Sequence, residues 1–364
     1  MAERILCLNR GSSSLKFALY EISDGREARL ADGTADDAQA SVSAVFETLE
    51  HRALGGPTAV GHRLVHGGPT LAAPTLVDDA VLATLRAAVP FAPLHLPAEL
   101  DDVTAVAARH PKLPQVVCFD TAFHARMPAV ARRLPLPRAL WDAGIRRYGF
   151  HGLSYEYVVE TVGATALGRA VVAHLGNGAS LAAIRDGVSV DTTMGLTPSG
   201  GIVMGTRTGD LDPGVLIHLL AHRGYDAPAL ERLIDRESGL LGVSATSADM
   251  RELLGARAGD PRAAEAVDLF CYEVRKQIGA FAAALGGLDT LVFTGGIGEH
   301  AAPVRWEACL GLEHLGIRLD AARNDGHAPV ISADDSRCLV RVVPTNEDLM
   351  IARHTRRVLD ATRA

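Results

Sequence analysis

The sequence predicts an α/β protein built from two copies of one domain, and two observations carry that expectation. The first is a pair of glycine- and serine-rich turns, each set between apolar, strand-like runs. Residues 5–8 lead into Asn9-Arg10-Gly11-Ser12-Ser13-Ser14 and leave through 15–19; residues 170–173 lead into His174-Leu175-Gly176-Asn177-Gly178-Ala179-Ser180 and leave through 181–184. A slide of 166 positions sets Ser14 on Ser180 and Leu15 on Leu181, and the flanking strands then coincide. The second is the mixture of short β-branched runs with longer amphipathic stretches, the signature of strands alternating with helices. A strand–turn–strand hairpin with small residues at its tip exposes backbone N–H groups and hydroxyls, which suit phosphate oxygens. Two of them in matching halves point to a nucleotide polyphosphate between the copies.

Element by element, strands are expected at 4–9, 14–20, 59–65, 115–119, 170–175, 180–185, 289–294 and 338–343. Helices are expected at 78–88, 97–109, 154–165, 213–223, 262–285 and 345–360. Ser154 is the expected N-cap of its helix, and Pro213 suits the first turn of the next. The proline-rich stretch 127–137 marks the crossing between halves. The first domain is expected to span 1–120, with a C-terminal helix at about 348–364 packing back on it; the second, 121–347, is expected to carry the nucleotide site.

Composition narrows the class. At 364 residues each half is long enough to bury a core, and 48% hydrophobic with 22% charged residues is ordinary for a globular protein. A net charge of −7 argues against nucleic-acid binding, which needs a basic face. The five cysteines contain no CxxC pair and read as reduced, buried thiols. Strand-like sequence begins by Ile5, leaving no room for a signal peptide, and no apolar stretch reaches spanning length. The expectation is a cytoplasmic protein without a membrane segment.

Neither a GxxxxGK[ST] loop nor a GxGxxG after a strand is present, so a nucleotide has to be held by hairpin turns. A third glycine-rich turn, Gly295-Gly296-Ile297-Gly298-Glu299, follows an apolar strand and lets a flat base or ribose approach the backbone. Arg63 lies within a strand in GHRLVHGG, Arg207 lies between glycines in MGTRTGD, and Asp120 ends a strand in FDTAFH. One strand arginine is most often an ion-paired surface residue. Two flanked by glycines make sense as clamps on a transferring phosphoryl group. His62, His66 and His95 lack tetrahedral spacing and there is no HExxH, which disfavours zinc. His151 stands in a turn between an aromatic and a glycine. Asp120 and the Thr345-Asn346-Glu347-Asp348 cluster offer the oxygen ligands a hard cation takes.

Together these strings resemble the acetate kinase family, within the superfamily of acetate and sugar kinases, actin and heat-shock chaperone ATPases. The matching pieces are GSSSLK at 11–16, GHRLVHGG at 61–68, APLH at 92–95, FDTAFH at 119–124 and RRYGFHG at 146–152. They continue with HLGNGAS at 174–180, VMGTRTGDLDP at 203–213, SADMRE at 247–252, FTGGIGE at 293–299 and TNEDLMIAR at 345–353. The resemblance implies a duplicated actin-like (ribonuclease H-like) two-domain fold with an interdomain nucleotide cleft. It also implies an ATP-dependent phosphotransferase that converts acetate and ATP reversibly to acetyl phosphate and ADP, working as a homodimer.

Carried over by motif, Asn9, Ser12, Ser14 and Lys16 lie at the first phosphate hairpin, and His174, Asn177 and Gly178 at the second. Arg63 and Arg207 grip the carboxylate and the moving phosphoryl group, with His151 as a further donor. Asp120 and Glu347 organise Mg²⁺ or Mn²⁺, with Asn9 nearby. Asp249, Arg251, Gly296, Ile297 and Gly298 line the adenosine pocket, and Val65, Leu94, Phe150 and Pro198 the small acyl pocket. The chain also departs from the family pattern. Arg10 is expected to add a cation beside the phosphates, Leu96 to alter the hydrogen bonding around His95, and Ser199-Gly200 to loosen the wall at Pro198. Leu153 and Tyr155 replace a usual threonine and histidine. A propionate or butyrate kinase of the same family is the second reading. A third, of a different class, is an actin-like nucleotide-gated binding protein with no acyl acceptor.

Overall fold

A computed structural model describes residues 3–11, 14–23, 25–36, 41–52 and 54–363. The chain divides into two compact units: Met1–Ala125 with Gly152–Tyr157 and Asn346–Ala364, and Arg126–His151 with Val158–Thr345. Among the described residues no helix is long and apolar enough to cross a membrane.

In the first unit, β1 (Glu3–Arg10), β2 (Ser14–Ser23) and β3 (Arg26–Asp36) form an antiparallel meander. The helix α1 (Val42–His51) follows, then β4 (Ala59–Leu64), β5 (Thr75–Leu76), α2 (Asp79–Ala87), α3 (Leu96–Arg109) and β6 (Gln115–Phe119). Strand β4 pairs parallel to β1, and β6 parallel to β4, so the sheet runs β3-β2-β1-β4-β6-β5. Short helices α4 (Ala129–Arg132) and α5 (Arg138–Asp142), of the second unit, precede α6 (Gly152–Val162), whose residues to Tyr157 belong to the first, and α7 (Ala164–Leu167) of the second.

The second unit repeats the plan. A meander of β7 (Arg169–Leu175), β8 (Ala179–Arg185) and β9 (Val188–Thr192) is followed by α8 (Pro213–His222), α9 (Ala227–Arg236), α10 (Gly239–Ser244), α11 (Met250–Ala256) and α12 (Pro261–Leu285). Then come β10 (Thr290–Thr294), α13 (Gly295–His300), α14 (Ala302–Cys309), α15 (Ala321–Asp325), β11 (Leu339–Val342) and finally α16 (Glu347–Arg363), which belongs to the first unit. Strand β10 pairs parallel to β7, and β11 parallel to β10, giving β11-β10-β7-β8-β9. Both sheets are therefore built on a three-strand meander extended by two parallel strands on the side of its first strand, and the first sheet adds β5, antiparallel to β6, at its edge.

The period-2 pattern of β1 shows how the first sheet is buried on both faces. Ile5 and Cys7 face a cluster with Met350, Ile351 and Leu359 of α16, whereas Leu6 and Leu8 face Val45, Phe46 and Leu49 of α1. Close docking of α16 depends on Gly61 in β4, where a Cβ would collide with Thr355 and Ile351. In the second unit the long α12 buries Phe270, Val274, Ile278 and Phe281 along one face and packs against β7 and β8.

Every expected strand and helix is present, with ends displaced by at most three residues. Three expectations need correction. The helix expected from Ser154 starts at Gly152, and its N-cap is His151 in a left-handed conformation (φ 58°, ψ 25°) without a side-chain cap bond. The two hairpins are not superposable at one offset: Arg10 stands opposite Leu15 but Ala173 opposite Leu181, so β7 is three residues out of step with β1. The glycine-rich run from Gly295 is the first turn of α13, not an open turn. Strand β9 was missed although Asp186-Gly187, both with positive φ (52° and 76°), forms the two-residue turn that hairpins favour.

His62 on β4 is buried, with Nε2 2.8 Å from Oε1 of Gln115 on β6. Burial lowers its pKa from 6.5 to about 4, against the opposing pull of the Gln115 bond. An imidazole whose folded pKa is depressed supports the fold above pH 6.5 and withdraws that support as pH falls towards 4. On acidification from pH 7 to 4.5, the wild type is expected to lose about 2–3 kcal/mol more stability than His62→Gln. Urea denaturation of both proteins at the two pH values measures the difference, and equal losses would refute it.

Candidate active site

In the first unit, polar residues collect where β1, β4 and β6 end together. Asn9 and Arg63 are register partners on β1 and β4, and Asp120 directly follows β6. The Arg63 guanidinium is held on both edges. Nε donates to Asp120 Oδ2 at 3.2 Å and Nη2 makes a short ion pair with the same oxygen; Nη1 donates to Glu99 Oε1 at 3.3 Å and to the Arg10 carbonyl at 3.1 Å. Burial opposes the Arg63 charge, and Asp120 and Glu99 more than restore it. Burial pushes the Glu99 carboxyl up to about 7, with Arg63 and the Val65 amide pulling the other way.

Asp120 is almost wholly buried, yet its Oδ1 has no hydrogen-bond partner among the described residues. Nearby, Asn9 Nδ2 donates to Glu347 Oε2 at 3.4 Å at the start of α16. Burial and the Asp120 charge raise the Glu347 pKa, while burial and the Glu347 charge push Asp348 up to about 6. Asp348 Oδ1 is likewise buried without a partner among the described residues. Crowded carboxylates with orphaned oxygens are what a cation relieves, so these residues fit a hard divalent ion. Among the described residues no three His, Cys, Asp or Glu side chains form a complete cage.

The expected residues of the first hairpin have separate fates. Lys16 on β2 stands opposite Asn9 and is exposed, and the Ser14 carbonyl accepts from Gly11 N at 2.8 Å. Ser12 lies outside the described residues. Val65 is buried just beyond β4, its N–H donating to Glu99 Oε2 at 2.9 Å, whereas Leu94 is 39% exposed.

In the second unit a different cluster forms at the turn between β7 and β8. The His151 ring stacks on His174 with centroids 4.2 Å apart, and its Nδ1 lies 2.9 Å from Ser180 Oγ. A Cβ on Gly178 would stand 3.4 Å from His151 Nε2 and 3.5 Å from Arg207 Nη1, so an imidazole and a guanidinium both face this bare turn. The loop carrying Arg207 is anchored from two sides. Gly205 N donates to the Asn177 carbonyl, and the start of α10 donates to the carbonyls of Met204 and Gly205. Arg207 Nη1 also donates to the Pro198 carbonyl at 3.2 Å, while Phe150 is buried next to His151 in sequence.

A sequence model described as the acetokinase family matches residues 23–353. The chain belongs to the acetokinase family. It is 47% identical to an acetate kinase of Rhodopseudomonas palustris over 404 aligned positions, with 100% of both chains covered. The crystal structure of Porphyromonas gingivalis acetate kinase matches with a TM-score of 0.87 and 37% identity, over 98% of this chain and 100% of that one. A propionate kinase from Francisella tularensis matches with a TM-score of 0.89 and 36% identity over the same shares.

The departures from the acetokinase pattern take a different meaning in the structure. Arg10 does not add a cation for phosphates: its guanidinium is engaged bidentately by Asp102, with contacts of 2.5 and 2.6 Å. The wall at Ser199-Gly200 is not loosened, because Ser199 Oγ bonds the Asp235 carboxylate of α9 and Gly200 lies against Asp210. Leu96 is fully buried as the first residue of α3, Leu153 joins the core around α16, and Tyr155 packs against Phe123 and His124.

Asp249 and Arg251 pair with each other, Asp249 also capping α11 through Arg251 N; the Arg251 guanidinium pulls the Asp249 carboxyl down to about 2. Gly296 has open space where a Cβ would sit, and Gly298 is buried. Two residues that sequence reading passed over hold this segment. Glu299 Oε1 accepts from Gly295 N and Thr345 N, each at 3.0 Å. Arg305, fully buried, donates to the Gly298 and Glu299 carbonyls and to the side-chain and backbone oxygens of Asn324. A cation closing the C-terminal end of a helix satisfies its orphan carbonyls. The signal in the sequence was faint, an arginine in an otherwise apolar stretch of α14. Arg305→Met strands several of these oxygens and is expected to cost roughly 3 kcal/mol or more. It should also raise amide exchange at 295–300; unchanged melting and exchange would show that the arginine holds nothing.

Proposed function

We propose that this chain transfers the γ-phosphoryl group of ATP reversibly to acetate, giving acetyl phosphate and ADP. The observation that carries the reading is the convergence of His151 and Arg207 on the side-chain-free turn at Gly178. A guanidinium and an imidazole facing a bare backbone turn suit the spread charge of a phosphoryl group. Membership of the acetokinase family supplies the reaction class.

An acetate oxygen attacks the γ-phosphorus; the new O–P bond forms as the bond to the ADP oxygen breaks, and ADP leaves with that electron pair. A carboxylate is already ionised, so no general base is needed. The work lies in bringing two anions together and neutralising their charge. Arg63, held flat by Asp120 and Glu99, binds the acetate carboxylate. Arg207 and His151 receive charge from the moving phosphoryl group. The hairpins, with Asn9, Ser12, Ser14 and Lys16 on one and His174, Asn177 and Gly178 on the other, hold the phosphate chain. Asp249, Arg251 and Gly296–Gly298 take the adenosine. Asn9, Asp120 and Glu347 would hold Mg²⁺ or Mn²⁺, which supplies charge neutralisation when bound. The unit that carries Arg63, Asp120 and Glu347 would serve acetate and metal, and the unit that carries Asn177, Asp249 and Gly296 the nucleotide. All five cysteines are buried and unbridged, which suits a reducing cytoplasm.

Val65, Leu94, Phe150 and Pro198 provide the apolar contacts to the methyl group. The Ser199–Asp235 bond holds the Pro198 segment, which favours a small acyl group. An extra methylene should then cost about 1–3 kcal/mol. We expect acetate-dependent ADP formation, with kcat/KM for acetate above propionate and butyrate poor. Arg207→Ala should lower kcat by about 10²–10³-fold, with little rescue by lysine. Propionate equal to acetate would move the assignment to a longer acyl chain. ATP turnover indifferent to any acid would favour a nucleotide-gated binding protein.

We also assign self-association to α8. This helix is rich in leucine, isoleucine and valine yet buries none of its residues; Ile217 is 64% exposed, with Val215, Leu220 and neighbouring Leu211 beside it in exposure. Apolar surface of that kind on a globular protein marks an interface. Sedimentation at micromolar concentration should show a homodimer, and Ile217→Lys a monomer. A monomeric wild type, or a dimeric variant, would remove the assignment.

A further inference from the structure

Helix α3 carries two buried carboxylates one turn apart, Glu99 and Asp102, only 2% and 6% exposed. Buried acids are costly unless each is paired, and here each takes an arginine from the end of a neighbouring parallel strand. Asp102 binds Arg10, the last residue of β1, through two contacts. Glu99 binds Arg63 on β4 through Oε1 and the Val65 N–H through Oε2. The two pairs are joined, because the Arg10 carbonyl accepts from the same Arg63 nitrogen that Glu99 binds.

Asp120 alone grips only the Nε–Nη2 edge of Arg63. With one edge fixed, a guanidinium can still tilt about that edge. The opposite corner, Nη1, is fixed by Glu99 and by a carbonyl whose own residue is anchored to Asp102. The same Glu99 also fixes the backbone of Val65, which we place against the acyl group. We propose that the α3 acid pair is a positioning device for acetate: Glu99 sets the plane of Arg63 and the place of Val65 together, and Asp102 supports it through Arg10. Neither acid touches the reacting atoms. This rests on the reading of Arg63 as the acetate-binding arginine.

The test compares wild type, Glu99→Gln, Glu99→Asp and Asp102→Asn in steady-state assays that vary acetate and ATP separately. Glutamine keeps an acceptor for the Val65 N–H but removes the charge facing Arg63. Glu99→Gln is expected to lower kcat/KM for acetate by about 10–100-fold, the scale of a small misplacement of a binding group. The change should fall mainly in KM for acetate, with KM for ATP within about twofold and the melting temperature preserved. Asp102→Asn should shift acetate in the same direction by less, and Glu99→Asp should recover part of the loss. A Glu99→Gln enzyme with wild-type acetate kinetics overturns the positioning role. So does one whose acetate and ATP constants worsen together as its melting temperature drops, since that is a folding defect. If Glu99→Gln fails to fold, Glu99→Asp decides by the same split between acetate and ATP. A wild type without acetate-dependent turnover overturns both this proposal and the reading beneath it.

Discussion

A guanidinium in a protein interior has to be answered by negative charge, and much of the first unit is arranged to answer Arg63. Three chain segments distant in sequence supply the response: Asp120 after β6, Glu99 on α3 and the carbonyl of Arg10 on β1. Parallel pairing of β1, β4 and β6 makes their meeting possible, since it brings strand ends of one polarity to one edge. The core beneath is apolar on both faces of the sheet, so the polar group is confined to that edge. The remaining carboxylates, Glu347 and Asp348, add negative charge beyond what Arg63 neutralises. Burial first, and that excess second, raises their pKa values, and a divalent cation is the natural relief.

The second unit meets a related demand by other means. It repeats the meander-and-parallel plan, but β10, its counterpart of β4, carries no arginine. Its cation, Arg207, arrives on a loop pinned by α10 and by Asn177 of the hairpin, and its imidazole comes from a left-handed residue at a helix start. Duplication of the fold has therefore preserved topology and not the chemistry of particular positions. The three-residue slip between the hairpins makes the same point, because an odd slip reverses the face to which each strand residue points.

Much of this was legible in the chain. Strands with dense β-branched runs and helices with strong apolar stripes were placed to within a few residues, since local pattern and tertiary burial agree there. What escaped detection has physical reasons. Strand β3 reads REARLADGTAD, with too little apolar alternation to announce itself, and it forms because β2 offers an edge. Arg10 looked like a free cation because its partner Asp102 is remote in sequence. Ser199 looked like a relaxation because the Asp235 it bonds is likewise remote. Glu99 and Arg305 were missed for the same cause: a buried charged residue is conspicuous only once its surroundings are known. Arg63, Asp120, His151 and Arg207 stood out as candidates because their glycine and aromatic neighbours are unusual in plain core sequence.

Of the two segments proposed to take the adenosine, one is held by contacts that respond to ionic strength and the other is not. Asp249 and Arg251 form an exposed pair, with the arginine side chain 88% accessible, so dissolved salt competes directly for both charges. Arg305 is sealed from solvent, and its partners are carbonyl oxygens, the Asn324 side-chain amide oxygen and His327 Nδ1. Ions cannot reach those contacts to screen them. Brine would loosen the Asp249–Arg251 pair and leave the glycine-rich turn at 295–300 in place.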